Sequence, residues 1–284
     1  HEPTDYTVVT DETYYNDYLK YIVENMKNNS LDNGKQYLMS DCYPFLTTLG
    51  KKALSSAVTS TYKMSSHYFS MMAMYANAAR DNGFKAGVCI QSVTHYKAAD
   101  YKAVMGGWSV KAAECNLTGR IDKDGNLTMN ENHIRYQAYM ALAYGMERID
   151  YFTYWQHYNQ TAAETMKESA VVWEYDEATG TYKGVYLPMY DYIKATNLEV
   201  KNLDNVVLAF DYAGTRLAAG QTATAGVFDD AASYLGDSIA NGAAAAYDLA
   251  IGCFTLGSEY KGYMLVNADD PSNGRSNATE MNFG

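Results

Sequence analysis

The chain has 284 residues, enough for one large domain and part of a second, with a sizeable core. Hydrophobic residues make up 48% and charged residues 19%, which is the composition of a folded chain and excludes a disordered one. The formal net charge of −11 repels polyanions, so nucleic acid and anionic membrane surfaces are poor partners, and no apolar run reaches the ~18 residues of a membrane span.

Residues 11–29 are predicted as a helix. Tyr14, Tyr18, Tyr21, Ile22 and Met26 recur at helical spacing behind the acidic first turn Asp11-Glu12. A short apolar strand follows at Gln36–Ser40 and runs into Asp41-Cys42-Tyr43-Pro44, where the proline turns the chain. Residues 61–82 predict a second helix, with Tyr62, Phe69, Met72, Ala73, Ala76 and Ala79 inward and Asn82-Gly83 as its stop. Phe84–Ile90 predicts a second apolar strand ending at Gln91-Ser92.

A long excursion over about 96–130 carries Gly106-Gly107-Trp108 and a hairpin signal at 120–128. Asp122, Asp124 and Asn126 have calcium-loop spacing, but Leu127 stands where Gly is needed and His133 where Glu is needed. Thr128 and Glu131 predict a capping box opening a helix to about Tyr144, closed by Gly145. Arg148–Trp155 predicts a third strand, Glu174–Val185 a hairpin turning at Ala178-Thr179-Gly180, and 186–202 a helix. From about 203 the pattern changes to short strands at Val206–Phe210, Ala225–Phe228, Leu249–Phe254 and Gly262–Asn267, which predicts a separate small β domain.

The alternation of helix and strand before residue 203 argues an α/β fold with a parallel sheet. Short, near-continuous apolar strands fit burial on both faces, although a doubly wound sheet satisfies the same pattern as a barrel. In such folds chemistry gathers at the C-terminal ends of the strands. Those ends are Asp41-Cys42-Tyr43, Gln91-Ser92 with His95 close behind, and Tyr154-Trp155-Gln156-His157. They offer a carboxylate, amides, imidazoles and rings. Asp41 is either a turn cap or a functional carboxylate. Gln91 either satisfies loop backbone or binds ligand. Trp155 is either core or a stacking platform, and Trp108 is a lid candidate.

The 28 tyrosines, against 8 Phe and 3 Trp, tilt the reading toward carbohydrate, because a tyrosine matches the apolar face and hydroxyl rim of a sugar. No phosphate loop, nucleophile elbow or metal-spaced cluster is present, so no cofactor and no metal are expected. Cys42, Cys89, Cys115 and Cys253 match no zinc or redox spacing.

The segments Leu38–Phe45, Tyr68-Phe69-Ser70, Val88–Ser92, Ile134–Gly145 and Tyr151–Trp155 resemble a group of bacterial glycosidase-like proteins. These are distantly similar to the β-galactosidases of glycoside hydrolase family 42 and the wider (β/α)8-barrel clan. Gly262–Asn267, with Pro271 after it, is similar to their C-terminal β domain. The resemblance implies that residues 1–202 are the C-terminal half of a (β/α)8 (TIM) barrel, about strands five to eight, and that 203–284 form a sandwich-like β domain. It also implies a secreted or cell-surface glycoside hydrolase acting on poly- or oligosaccharide, with Asp41 as base or nucleophile. Tyr43, Gln91, His95, Trp108, Trp155 and His157 would then bind substrate.

Two departures bear on that activity. The clan's strand-four Glu-Pro segment is mimicked by Glu2-Pro3, a candidate acid that lies too close to the first helix. The clan's nucleophile position holds Gln91, and an amide is neither nucleophile nor base. The alternatives are a non-catalytic carbohydrate-binding protein or a cell-surface structural protein. His1-Glu2-Pro3 at the start, with no leader, predicts that the missing half-barrel, of the same or another chain, covers the open sheet.

Overall fold

The structure is a computed structural model that describes residues 12–29, 36–41, 43–48, 61–64, 68–92, 95–96, 129–157, 169–218 and 249–268. Its centre is a three-stranded parallel sheet. Strand β1 (Tyr37–Asp41) pairs with β4 (Lys85–Gln91), and β4 pairs with β6 (Met146–Phe152). The three strands lie side by side in chain order, as successive βα units do.

Helix α2 (Tyr68–Asp81) packs on β1 and β4, and helix α3 (Glu131–Ala143) packs on β4 and β6. Alternation along the strands puts Leu38, Ala86, Val88, Ile90 and Met146 under these helices, where all are buried. Helix α1 (Glu12–Asn28) adds Leu19 and Val23 against α2. Of the residues at helical spacing on α1, Tyr18 and Tyr21 are exposed, while Ile22 and Met26 pack against the core. The aliphatic stripe of Leu19, Ile22, Val23 and Met26 sets the buried face, since these side chains carry no hydroxyl to satisfy.

Helix α4 (Pro188–Val207) packs on α3, burying Met189, Ile193 and Thr196. It begins with proline, whose missing N–H costs nothing in a first turn. It runs through Val207, across the junction expected at 202/203, so the strand expected at Val206–Phe210 is the end of a helix and a turn. A short apolar run at a helix end is not distinguishable from a strand by periodicity. The helix expected over 61–82 likewise begins only at Tyr68. Thr61–Met64, a β-branched and aromatic run, forms strand β3 against β2 (Phe45–Thr48), and β2 also pairs with β5 (His95–Tyr96).

Helix α3 starts as a capped helix, but two residues later than the predicted box. The Asn130 side chain accepts from the Asn132 amide at 3.0 Å, and the Asn130 amide donates to His133 Nδ1 at 3.0 Å. Beyond α4 an antiparallel sheet of β10 (Asp211–Ala218), β11 (Leu249–Leu256) and β12 (Tyr260–Asn267) lies on α3 and α2. Its close approach depends on two glycines. A Cβ on Gly252 would stand 2.3 Å from the Ala143 carbonyl oxygen, and one on Gly145 would stand 2.5 Å from the Tyr212 ring. Thr215 donates to that same Ala143 carbonyl at 2.9 Å, which satisfies an orphan acceptor at the end of α3. Gly145 ends the helix in the left-handed region at φ 67°, as predicted for a closing glycine.

The fold is thus mixed helix and strand with several small sheets, and no closed barrel is present among the described residues. Glu2, Trp108, Cys42, Cys115, the hairpin signal at 120–128, the strand expected at 225–228 and Pro271 lie outside the described residues.

Candidate functional site

At the C-terminal ends of the parallel strands, Gln91 occupies the centre. It is fully buried, and its amide is spent on the main chain of Phe45: Phe45 N donates to Gln91 Oε1 at 3.0 Å, and Gln91 Nε2 donates to the Phe45 carbonyl at 2.8 Å. Gln137 of α3 repeats the arrangement one layer away. Gln91 N donates to Gln137 Oε1 at 2.8 Å, while Gln137 Nε2 donates to the carbonyls of Gln91 at 2.8 Å and His133 at 3.1 Å. Strand β4 has parted from β1 here, and two side-chain amides take up main-chain groups that no neighbouring strand pairs. Gln91 therefore braces backbone, one of the two roles open to it in the sequence, and presents no polar atom to a ligand. Ser92 completes the rim by donating from its amide to the Phe152 carbonyl at 2.8 Å and from its hydroxyl to the Thr153 carbonyl at 3.1 Å.

The sheet face opposite the helices carries polar and aromatic groups. Asp41, Cys89 and Asp150 are directly cross-paired, one on each strand, so their side chains share that face. Strand spacing of about 4.8 Å puts the Asp41 and Asp150 Cα atoms roughly 10 Å apart. Asp41 is exposed, and Asp150 is paired with Arg148 at 3.1 Å. Tyr43 covers this patch: its hydroxyl donates toward Cys89 Sγ at 4.0 Å, and its ring lies 5.6 Å from that of Phe152. Burial, then the hydrogen bond to Asp41, hold the Tyr43 hydroxyl well above the usual phenol range, so it stays a donor at any physiological pH. Asp41 and Tyr43 are thus brought together, with Asp150 on the same face.

Trp155 lies elsewhere than expected. Strand β6 ends at Phe152, and the Phe152–Thr153 peptide is cis. Trp155 instead opens β7 (Trp155–His157), which joins a second sheet with β8 (Val171–Asp176) and β9 (Thr181–Tyr186). The last two strands are the hairpin predicted from the sequence. Along its register Trp155 faces Val171, Val171 faces Tyr186, Trp173 faces Gly184 and Tyr175 faces Tyr182. All therefore share one face. Tyr154, Trp155, Val171, Trp173, Tyr182, Gly184 and Tyr186 line an open groove of about 570 Å³. Its rings are well exposed: Trp155 49%, Trp173 39%, Tyr182 60% and Tyr186 68%. None of the lining residues is charged. Tyr186 is steadied from behind by Tyr190 of α4, ring to ring at 4.5 Å.

His157 stands opposite Trp173 in the strand register and His95 opposite Leu46, and the side chains of both lie outside the described residues. No group of three or more His, Cys, Asp or Glu able to hold a metal is found among the described residues. No described helix is long and apolar enough to cross a membrane. Trp173, Tyr182, Tyr186 and Asp150 were not singled out from the sequence. Their signal was present as alternation: in V-V-W-E-Y-D facing T-Y-K-G-V-Y the aromatic rings all fall on the alternate positions of one face, and R-I-D in a strand puts two charges on one face.

No family model matches the chain, and neither a curated protein nor a solved structure is significantly similar to it.

Proposed function

We propose that this chain is a carbohydrate-binding protein whose binding surface is the aromatic face of the β7–β8–β9 sheet. One observation carries the reading. Two tryptophans and three tyrosines are held exposed around a groove with no charged side chain among its described lining residues. A contiguous aromatic surface of this kind marks an interaction site. Its ring faces suit the C–H faces of a pyranose, and its phenol hydroxyls suit the hydroxyl rim. The net charge of −11 favours a neutral ligand over an anionic one. The resemblance to glycosidase-like proteins supports the same ligand class. On that reading the three parallel strands are strands six to eight of a (β/α)8 barrel and the protein works outside the cell, on polysaccharide or its fragments.

A second reading, glycoside hydrolysis, is favoured by Asp41 and Asp150 on one sheet face. An inverting mechanism needs two carboxyl groups about 6.5–9.5 Å apart, one to protonate the leaving oxygen and one to activate water on the opposite side of the ring. A spacing near 10 Å at the Cα atoms is compatible with that range.

One experiment serves both. The wild-type chain and Trp173→Ala are titrated with soluble neutral glucan, xylan and mannan, with reducing ends measured in parallel. Trp173→Ala is expected to weaken binding by about ten-fold or more, the worth of one lost stacking ring. Absence of binding by the wild type to every glycan refutes the carbohydrate reading. Release of reducing ends that disappears in both Asp41→Asn and Asp150→Asn establishes the second; binding without release leaves the first.

A further inference from the structure

The groove contains one residue that its fold does not require. Gly184 lies in the middle of β9, directly opposite Trp173, between Tyr182 and Tyr186. Its backbone is not in the left-handed region, and a Cβ added there would meet only Val171 Cγ1, at an ordinary 3.6 Å. Gly145 and Gly252 differ completely, since a side chain at either would collide with a neighbour at 2.5 Å or less. A glycine inside a strand weakens it relative to alanine and often marks a place where a ligand approaches the backbone closely. Here the missing side chain leaves a hollow, floored by main chain and walled by three rings.

We propose that Gly184 is the floor of a sugar subsite, and that the groove takes an extended segment of neutral polysaccharide rather than a single sugar. The proposal rests on the carbohydrate reading above. The length of the surface gives the second half of it. Tyr182 and Tyr186 are four residues apart on a strand, about 13 Å. Trp155 lies on the far strand of the same sheet, a further two strand spacings across, about 10 Å. One pyranose ring cannot touch all of these rings, whereas successive rings of a chain can. The neutrality of the ligand follows from the lining. The hairpin's charged Asp176 and Lys183 fall on the alternate positions of β8 and β9, so strand alternation turns them to the other face. The described residues that line the groove offer neither a cation to an acidic polysaccharide nor an anion to a basic one.

The test compares neutral oligosaccharides of one to six residues, from glucan, xylan and mannan series, by titration calorimetry and tryptophan fluorescence. Three proteins are used: the wild type, Gly184→Leu and Gly184→Ala. Thermal unfolding is recorded for each. Affinity of the wild type is expected to rise at least ten-fold from the monosaccharide to the tetrasaccharide. Gly184→Leu is expected to lose at least ten-fold for the tetrasaccharide while its unfolding temperature is unchanged or higher, because the side chain enters the hollow without backbone strain. Gly184→Ala, the smaller intrusion, is expected to fall between the two and decides the matter should the leucine variant not fold. Equal affinity for all chain lengths, or full-strength binding by both variants, overturns the subsite and leaves the carbohydrate reading standing. Failure of the wild type to bind any of the sugars overturns both. Sedimentation of the sugar-free wild type covers another occupant: dimerisation that Gly184→Leu abolishes assigns the groove to a second copy of the chain and overturns the proposal.

Discussion

The two sheets that meet at Thr153 use their side chains in opposite ways. At the rim of the parallel sheet the side-chain amides are committed. Gln91 and Gln137 bond to main chain, and Phe45 is locked edge-on against His133, with ring centroids 4.8 Å apart. On the β7–β9 sheet, apolar rings stand in solvent and the one position without a side chain is under no steric compulsion. Burial of rings is worth about 1.5–3 kcal/mol each, so a fold that leaves five of them exposed around one groove gives up stability that packing would supply. The first region is organised for stability, and the second is organised for contact with something else.

Substitutions separate the two regions by how they divide between stability and binding. The largest stability loss is expected at Gly252. Gly252→Ala drives a methyl into the end of α3, and the close approach to the Ala143 backbone leaves no flexible side chain to yield. A loss of about 3 kcal/mol or more is expected in chemical denaturation, typical of overpacking against rigid backbone. Next comes Gln91→Leu, which strands the buried amide and carbonyl of Phe45 at a cost of about 2–4 kcal/mol. Glycan affinity at the groove is expected to change less than two-fold in the folded protein, since Gln91 presents nothing there. A large affinity loss with stability intact would erase the contrast drawn between the regions.

A smaller effect is expected from pH. Burial pushes the Cys253 thiol up to about 11, from an ordinary value of 9.0. The unfolded chain therefore gives up this proton before the folded one does. The protein retains the full contribution of the buried thiol below about pH 9 and loses stability as the pH rises from 9 toward 11. Cys253→Ala is expected to flatten that slope in denaturation curves at pH 8, 9 and 10. An unchanged slope would place the alkaline sensitivity elsewhere.

Much of the framework was readable from residue pattern. The apolar strands ending at Asp41 and Gln91, the helix closed by Gly145 and the hairpin turning at 178–180 lie within a residue or two of their predicted places. These are segments whose period, cap or turn agrees with their tertiary environment. Disagreement arises where a short apolar run stands alone. Val206 and Val207 complete a helix and Leu208–Phe210 form a turn, because α4 has already been nucleated on α3, and nucleation is the costly step. Tyr151–Trp155 reads as one strand by hydrophobicity, yet it divides between two sheets because pairing changes partner after Phe152. The role of Gln91 was equally hidden. A strand-end amide looks the same in sequence whether it faces a ligand or the backbone of a residue 46 positions away. The groove was missed for a different reason: its rings come from three strands, and only cross-strand register reveals that they share a face.

The pair of glutamines at the rim has a consequence for how the molecule responds to its surroundings. An amide has no proton to gain or lose across the range in which carboxylates and imidazoles titrate. The amide bonds that join β4, Phe45 and α3 therefore do not titrate, and buried bonds of this kind are little screened by salt. A glutamate at either position would have made the shape of the rim a function of pH. As built, the glutamine bonds keep their partners from an acidified medium to an alkaline one.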